Sequence, residues 1–285
     1  MSKPIGKTVD GDGIKINLAV WEGTGKPILC IHGITANCRC WDVMASVLTP
    51  KHRLIAMDLR GRGRSDKPPS GYSMAHHIGD IHSILDSLKI EKAVLMGHSL
   101  GAFIALAFGA QYPERVDRII LVDGAGKLSE EQFDKVFEAI KPALDRLGKI
   151  YPSSKGYIET MKSASYIHPW SDAIENYYRY ELEEVDGGGV RTNIDTKHIQ
   201  EESANVRKVE VETLYPKINC QVLVLRATQG LFGLDDLLLP EPVVEKMVLV
   251  IPHASRFDVE GINHYGIVFQ PHAARDQTIL AFLEM

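Results

Sequence analysis

The chain has 285 residues, 45% of them hydrophobic, which suits one large domain carrying an insertion or two ordinary domains. A formal net charge of -5 and a pI near 6.1 give no electrostatic attraction to nucleic acid or to an anionic membrane surface. No apolar stretch reaches the roughly 20 residues of a membrane span, and Met1-Ser2-Lys3-Pro4 opens no signal-peptide run, so the expected location is the cytoplasm.

An antiparallel pair is predicted over Ile5 to Val9 and Ile14 to Trp21, joined by the turn formers Asp10-Gly11-Asp12-Gly13. Pro27 to Ile31 and Leu54 to Met57 read as buried strands. From Ser73 to Leu88, Ile78, Ile81, Leu85 and Leu88 recur at helical spacing, so this helix should lay one face on a sheet. His76, His77 and His82 on the same helix converge on no metal site and read as solvated.

Ala93 to Met96 is a further strand. It runs into Gly97-His98-Ser99-Leu100-Gly101, a G-x-S-x-G turn, and then into an apolar helix through Phe103, Ile104, Leu106 and Phe108. On such a turn small residues two before and two after the serine let strand and helix approach, which leaves the hydroxyl exposed. The helix start also aims free N–H groups at any negative charge forming there. Ile119 to Val122 is the next strand, so strands and helices alternate as in a mostly parallel sheet with helices on both faces.

Between about Gly124 and Lys208 the strand signal disappears. Ser129 and Gln132 form a capping-box pattern, Phe133, Val136, Phe137, Ile140, Leu144 and Leu147 share a stripe with a kink expected at Pro142, and Ile174, Tyr177, Tyr178 and Leu182 make a second stripe. Gly187-Gly188-Gly189 reads as a flexible joint. Residues 125–208 are therefore expected to form a helical cap on a core made of 1–124 and 209–285. Val222 to Leu225 restores the buried strand, Val243 to Met247 is weakly helical, Arg256 to Val259 is a last strand, and Ile279 to Leu283 belongs to a closing helix. The four cysteines, Cys30, Cys38, Cys40 and Cys220, form no C-x-x-C pair and read as reduced thiols.

With these segments assembled, the chain resembles the α/β-hydrolase family over almost its whole length. Ile31-His32-Gly33-Ile34 is similar to that family's HG turn after the third strand, and Asp58 to Asp66 to its D-x-R-G-x-G-x-S turn after the fourth. Gly97 to Gly101 is similar to the nucleophile elbow, and Gly261-Ile262-Asn263-His264 to the histidine loop after the eighth strand. The resemblance implies an eight-stranded sheet, oxyanion donors in the backbone N–H groups of Ile34 and Leu100, and no cofactor or metal. His32 is expected to brace its turn, and the arginines of the Asp58 to Asp66 loop to hold a structural turn.

A serine hydroxyl is a poor nucleophile at neutral pH and needs a neutral imidazole to take its proton. His264 fits, since it follows the last strand and comes late, as Ser-acid-His order requires; His253 is a weaker rival. The acid departs from the family pattern of R-G-x-x-D after the seventh strand. Here Arg226-Ala227-Thr228-Gln229-Gly230 puts glycine at that position. Asp123 ends the sixth strand, which the family's strand order implies lies about 4.8 Å from the fifth; it is the first choice, and Asp235 or Asp236 the rivals.

A serine nucleophile excludes the aspartate-nucleophile chemistries of the same fold. The expected activity is hydrolysis of a small, mostly apolar carboxylic ester through an acyl-enzyme on Ser99, with Phe137, Trp170, Tyr177 and Tyr178 as candidate pocket residues. Lactone or thioester hydrolysis, carbon–carbon cleavage and acyl transfer use the same triad. A small-molecule receptor on a hydrolase scaffold is the non-enzymatic alternative. The partner expected is a small ester, and the chain a monomer or homodimer.

Overall fold

Ten strands and the helices between them are seen in the computed structural model, which describes residues 3–233 and 236–285. Eight strands form one sheet in the order β1-β2-β4-β3-β5-β6-β9-β10: β1 (Ile5–Asp10), β2 (Lys15–Trp21), β3 (Pro27–Ile31), β4 (Arg53–Met57), β5 (Ala93–His98), β6 (Val116–Val122), β9 (Gln221–Gln229) and β10 (Ala254–Asn263). All pairings from β4 to β10 are parallel, and only β2 runs against the rest. This is an α/β-hydrolase fold.

Because successive strand residues face opposite sides, the sheet feeds two cores. Leu95, Ile119, Leu121, Val222 and Val224 pack on one side with Ile78, Ile81, Ile84 and Leu85 of helix Met74–Ser87 and with Ile104 and Phe108 of helix Leu100–Gln111. Val94, Met96, Ile120, Val122, Leu223 and Leu225 pack on the other with Met44 and Leu48 of helix Asp42–Leu48 and Ile279 and Phe282 of helix Ala273–Glu284. The continuous apolar runs of the central strands follow from this burial on both faces.

The segment between β6 and β9 differs from expectation in two places. It contains a hairpin, β7 (Leu182–Glu184) with β8 (Val190–Thr192), whose turn is Gly187-Gly188-Gly189, all three at positive φ. Strands of three residues, half of them charged, carry no apolar strand signal; here Arg191 donates to Glu183 across the pair at 2.7 Å. Leu182 belongs to β7, not to the preceding helix Asp172–Tyr180. Pro142 separates two helices, Glu130–Ala139 and Lys141–Asp145, and sits in the first turn of the second, where its missing N–H costs nothing. The other helices of this segment are Ser154–Lys162 and Thr196–Val206. Among the described residues no helix is long and apolar enough to cross a membrane.

All four cysteines are free, and Cys30, Cys38 and Cys40 are buried. His77 is a correction. It is 1% exposed, and its Nε2 lies 2.5 Å from Glu202 Oε1 on helix Thr196–Val206. It was read as solvated, and helix Thr196–Val206, distant in sequence, covers it.

Candidate active site

Ser99 follows β5 at φ 55° and ψ −119°, a conformation strained for a residue with a side chain. Its flanking glycines explain how the turn closes. A Cβ on Gly97 would lie 2.1 Å from the Gly101 carbonyl oxygen, and one on Gly101 would lie 2.0 Å from that of Ile31. Ser99 N donates to Val122 O at 3.1 Å and Ala102 N to Ser99 O at 2.9 Å, so the elbow is tied to β6 and to its own helix.

Asp123 follows β6 and is also at positive φ, 46°. Asp123 is 1% exposed, with Oδ2 2.8 Å from His264 Nδ1 and Oδ1 accepting from Ala227 N at 3.1 Å. A carboxylate can only accept, so Nδ1 carries the proton and His264 Nε2 is left as an acceptor. Asn263 braces the same loop: its Oδ1 accepts from Gly266 N at 2.8 Å, and its Nδ2 donates to Tyr166 O at 3.1 Å.

Of the two rivals for the acid, Asp236 is engaged elsewhere. Asp236 is 6% exposed and accepts from Leu231 N at 3.0 Å and Phe232 N at 2.7 Å, clamping its own loop. Asp235 lies outside the described residues. His253, rival for the base, is at the opposite end of the sheet, where its carbonyl accepts from Val222 N at the start of β9.

His98, within the G-x-S-x-G turn, also belongs to the site, and no residue pattern in the sequence signals its role. Its Nε2 donates to the His264 carbonyl at 2.9 Å, and its ring stacks on the His264 ring at 4.4 Å between centroids and 28° between planes. Burial, then the neighbouring His264, push its pKa well below 6.5. It is a neutral brace under the histidine loop.

The turn after β3 is held by His32, whose Nδ1 donates to Gly33 O at 2.7 Å while Nε2 accepts from Leu59 N at 3.0 Å. Both bonds require the neutral ring, and burial lowers its pKa to about 4. The Asp58 loop is structural as expected: Arg60 meets Asp80 at 2.8 Å, and Asp58 accepts from Cys38 N, Arg64 N and Tyr180 Oη.

Ile34, Leu100, His98, Ser99 and His264 line one cavity of about 80 Å³ at the carboxyl ends of the strands. Of the four candidate pocket residues, Phe137 and Tyr177 line this cavity. Trp170 and Tyr178 do not; they stack on each other at 5.7 Å, with Tyr178 packed into the core on that side of the sheet. Phe133 and Val136 complete the roof from helix Glu130–Ala139, whose aromatic pair sits under the Arg207 guanidinium, 4.1 Å from the Phe133 ring. No lysine or arginine is among the described residues lining the cavity. Among the described residues no group of three or more His, Cys, Asp or Glu is placed to hold a metal ion.

A family model described as alpha/beta hydrolase fold matches residues 26–269. The chain belongs to the α/β-hydrolase family. This α/β hydrolase is 26% identical over 261 residues to 2-(acetamidomethylene)succinate hydrolase of Mesorhizobium japonicum, covering 92% of this chain and 89% of that one. A crystal structure of E-2-(acetamidomethylene)succinate hydrolase superposes with a TM-score of 0.87 at 24% identity, covering 99% of this chain and 100% of the other. An uncharacterized protein of Mycobacterium tuberculosis is 42% identical over 104 residues, 36% of this chain, and the match spans only 30% of that relative's length.

Proposed function

We propose that this α/β hydrolase cleaves small, mostly apolar carboxylic esters by acyl transfer to Ser99, with His264 as the base and Asp123 as the triad acid. The observation that carries the reading is the 2.8 Å contact between Asp123 Oδ2 and His264 Nδ1, on a ring that shares its cavity with Ser99. Ser99 Oγ attacks the ester carbonyl carbon and its proton passes to His264 Nε2. Charge on the former carbonyl oxygen is met by the N–H groups of Ile34 and Leu100. The imidazolium then protonates the leaving alcohol, and water, giving its proton to the same nitrogen, hydrolyses the acyl-serine.

The lining supports this choice of substrate class. A cavity of about 80 Å³ is roughly half the size of an engineered apolar cavity of about 150 Å³ that binds benzene. Its walls include Phe103, Phe133, Val136, Phe137, Ile140 and Val268, with no lysine or arginine among the described lining residues to meet a carboxylate. That favours a short neutral acyl group over a dicarboxylate of the kind named for the M. japonicum relative.

The test is a chain-length series of p-nitrophenyl esters with acyl lactones and acyl thioesters alongside. The reading expects acetate or butyrate to be turned over fastest and Ser99→Ala to be inactive. Equal, low rates on every ester would overturn it.

A further inference from the structure

Three consecutive carbonyls in the turn after β3 are tethered, and two of the tethers lead into the cap. Gly33 O accepts from His32 Nδ1 at 2.7 Å and from Ala36 N at 3.1 Å. Ile34 O accepts from Arg62 Nε at 3.0 Å, and Thr35 O from Arg146 Nη2 at 2.8 Å. Both arginines are at most 2% exposed, and each is neutralised by a buried glutamate of the cap. Arg62 pairs with Glu202 of helix Thr196–Val206, which also holds His77. Arg146 meets both oxygens of Glu181 at 2.8 and 2.9 Å, and the Tyr157 hydroxyl donates to the same carboxylate. Glu181 caps the end of helix Asp172–Tyr180.

Taking two ion pairs out of water is costly, and apolar replacements are often no less stable, so stability is a weak reason for these pairs. What they supply is direction. A planar guanidinium gripped by one carboxylate presents its remaining N–H groups along fixed lines, here onto the Ile34 and Thr35 carbonyls. Each pair is neutral as a whole, so its effect on a developing oxyanion comes through geometry more than charge. The Ile34 N–H belongs to the peptide whose carbonyl is Gly33 O, and with the carbonyls at 33, 34 and 35 all held, that peptide cannot rotate independently.

We propose that Glu181 and Glu202 are positioning residues. Through Arg146 and Arg62 they fix the direction of the Ile34 N–H, so the oxyanion turn has its working geometry only while the cap is docked. The proposal rests on the reading of Ile34 and Leu100 as oxyanion donors.

The test is the double variant Arg146→Met/Glu181→Leu, which removes both charges together and strands no buried ion, with Arg146→Lys as a gentler companion. Melting temperature, kcat and KM for p-nitrophenyl acetate, and affinity for a trifluoromethyl ketone that forms a tetrahedral adduct on Ser99 are measured. The expected result for the double variant is a kcat lowered about 10- to 100-fold, KM within about threefold, and affinity for the ketone reduced in step with kcat. Arg146→Lys should show the same pattern with a loss of roughly fivefold. A pair that serves only stability would lower the melting temperature and leave kcat and ketone affinity within about twofold of wild type; that outcome in Arg146→Lys and in whatever folded double variant is obtained overturns the proposal. A wild-type enzyme that neither turns over the ester nor binds the ketone would instead overturn the ester reading beneath it.

Discussion

Asp236 occupies the space that a side chain on Gly230 would need: a Cβ there would lie 1.7 Å from Asp236 Oδ1. The position where relatives in the family pattern carry their acid is thus closed by a loop clamp, while Asp123 meets His264 from the neighbouring strand. Asp123→Asn should therefore lower kcat by roughly 10⁴-fold with little change in KM, as loss of the imidazole's orienting carboxylate does elsewhere. Asp236→Asn should keep kcat within about threefold and lose about 1 to 2 kcal/mol of stability, because two backbone N–H groups lose a charged acceptor. Steady-state kinetics and urea unfolding of the two variants separate the roles, and a reversed pattern would return the acid to the loop.

Phe137 should govern acyl length. It lines the catalytic cavity and also borders a groove of about 440 Å³ walled by Leu144, Leu147 and Ile199. Phe137→Ala removes the partition, so the preferred p-nitrophenyl ester should move from two to four carbons toward about eight or more, with the ratio of kcat/KM values changing at least ~10-fold, the scale of one or two methylenes' burial. An unchanged chain-length profile would show that Phe137 does not limit the pocket.

Acid should destabilise the fold before the carboxylates titrate. Burial holds His32 at a pKa of about 4 and keeps His77 and His98 well below 6.5. The unfolded chain binds protons on these histidines below about pH 6.5 that the native state does not, so stability is full above that pH and falls as pH drops toward 4. His32 alone accounts for roughly 3 kcal/mol across that window. Unfolding free energies from pH 7.5 to 4.5 should show the decline, with a shallower slope in His32→Gln. A variant with the wild-type slope would contradict the neutral, buried state of His32.

His98 should matter through His264. His98→Phe keeps a ring on the imidazole but loses the 2.9 Å bond to the His264 carbonyl, so kcat should fall roughly tenfold from a looser base and the melting temperature should drop by a few degrees. Unchanged kcat with a lowered melting temperature would make it a packing residue only.

The sheet was legible because burial on both faces writes continuous apolar runs such as Ile119 to Val122, and the elbow because Gly97 and Gly101 leave no room for a Cβ. Asp123 could be named as a candidate because it ends β6, which the family's strand order puts beside β5, and its carboxylate lies 2.8 Å from His264 Nδ1. The cap was not. Its β7–β8 hairpin is too short and charged to carry a period-two signal, and its tyrosines share helical stripes whether they meet the cavity, as Tyr177 does, or the core, as Tyr178 does. His77 and the Arg146–Glu181 pair depend on contacts between residues 35 to 125 positions apart, and helical periodicity says nothing about those.

The central claim, an acyl-enzyme on Ser99 driven by His264 and Asp123, is tested most directly by intact-protein mass spectrometry after treatment with a fluorophosphonate. One adduct per chain is expected, mapped by peptide sequencing to Ser99, absent in Ser99→Ala and slowed by orders of magnitude in Asp123→Asn. Failure of the wild-type protein to label, or labelling that persists unchanged in Ser99→Ala, would contradict it.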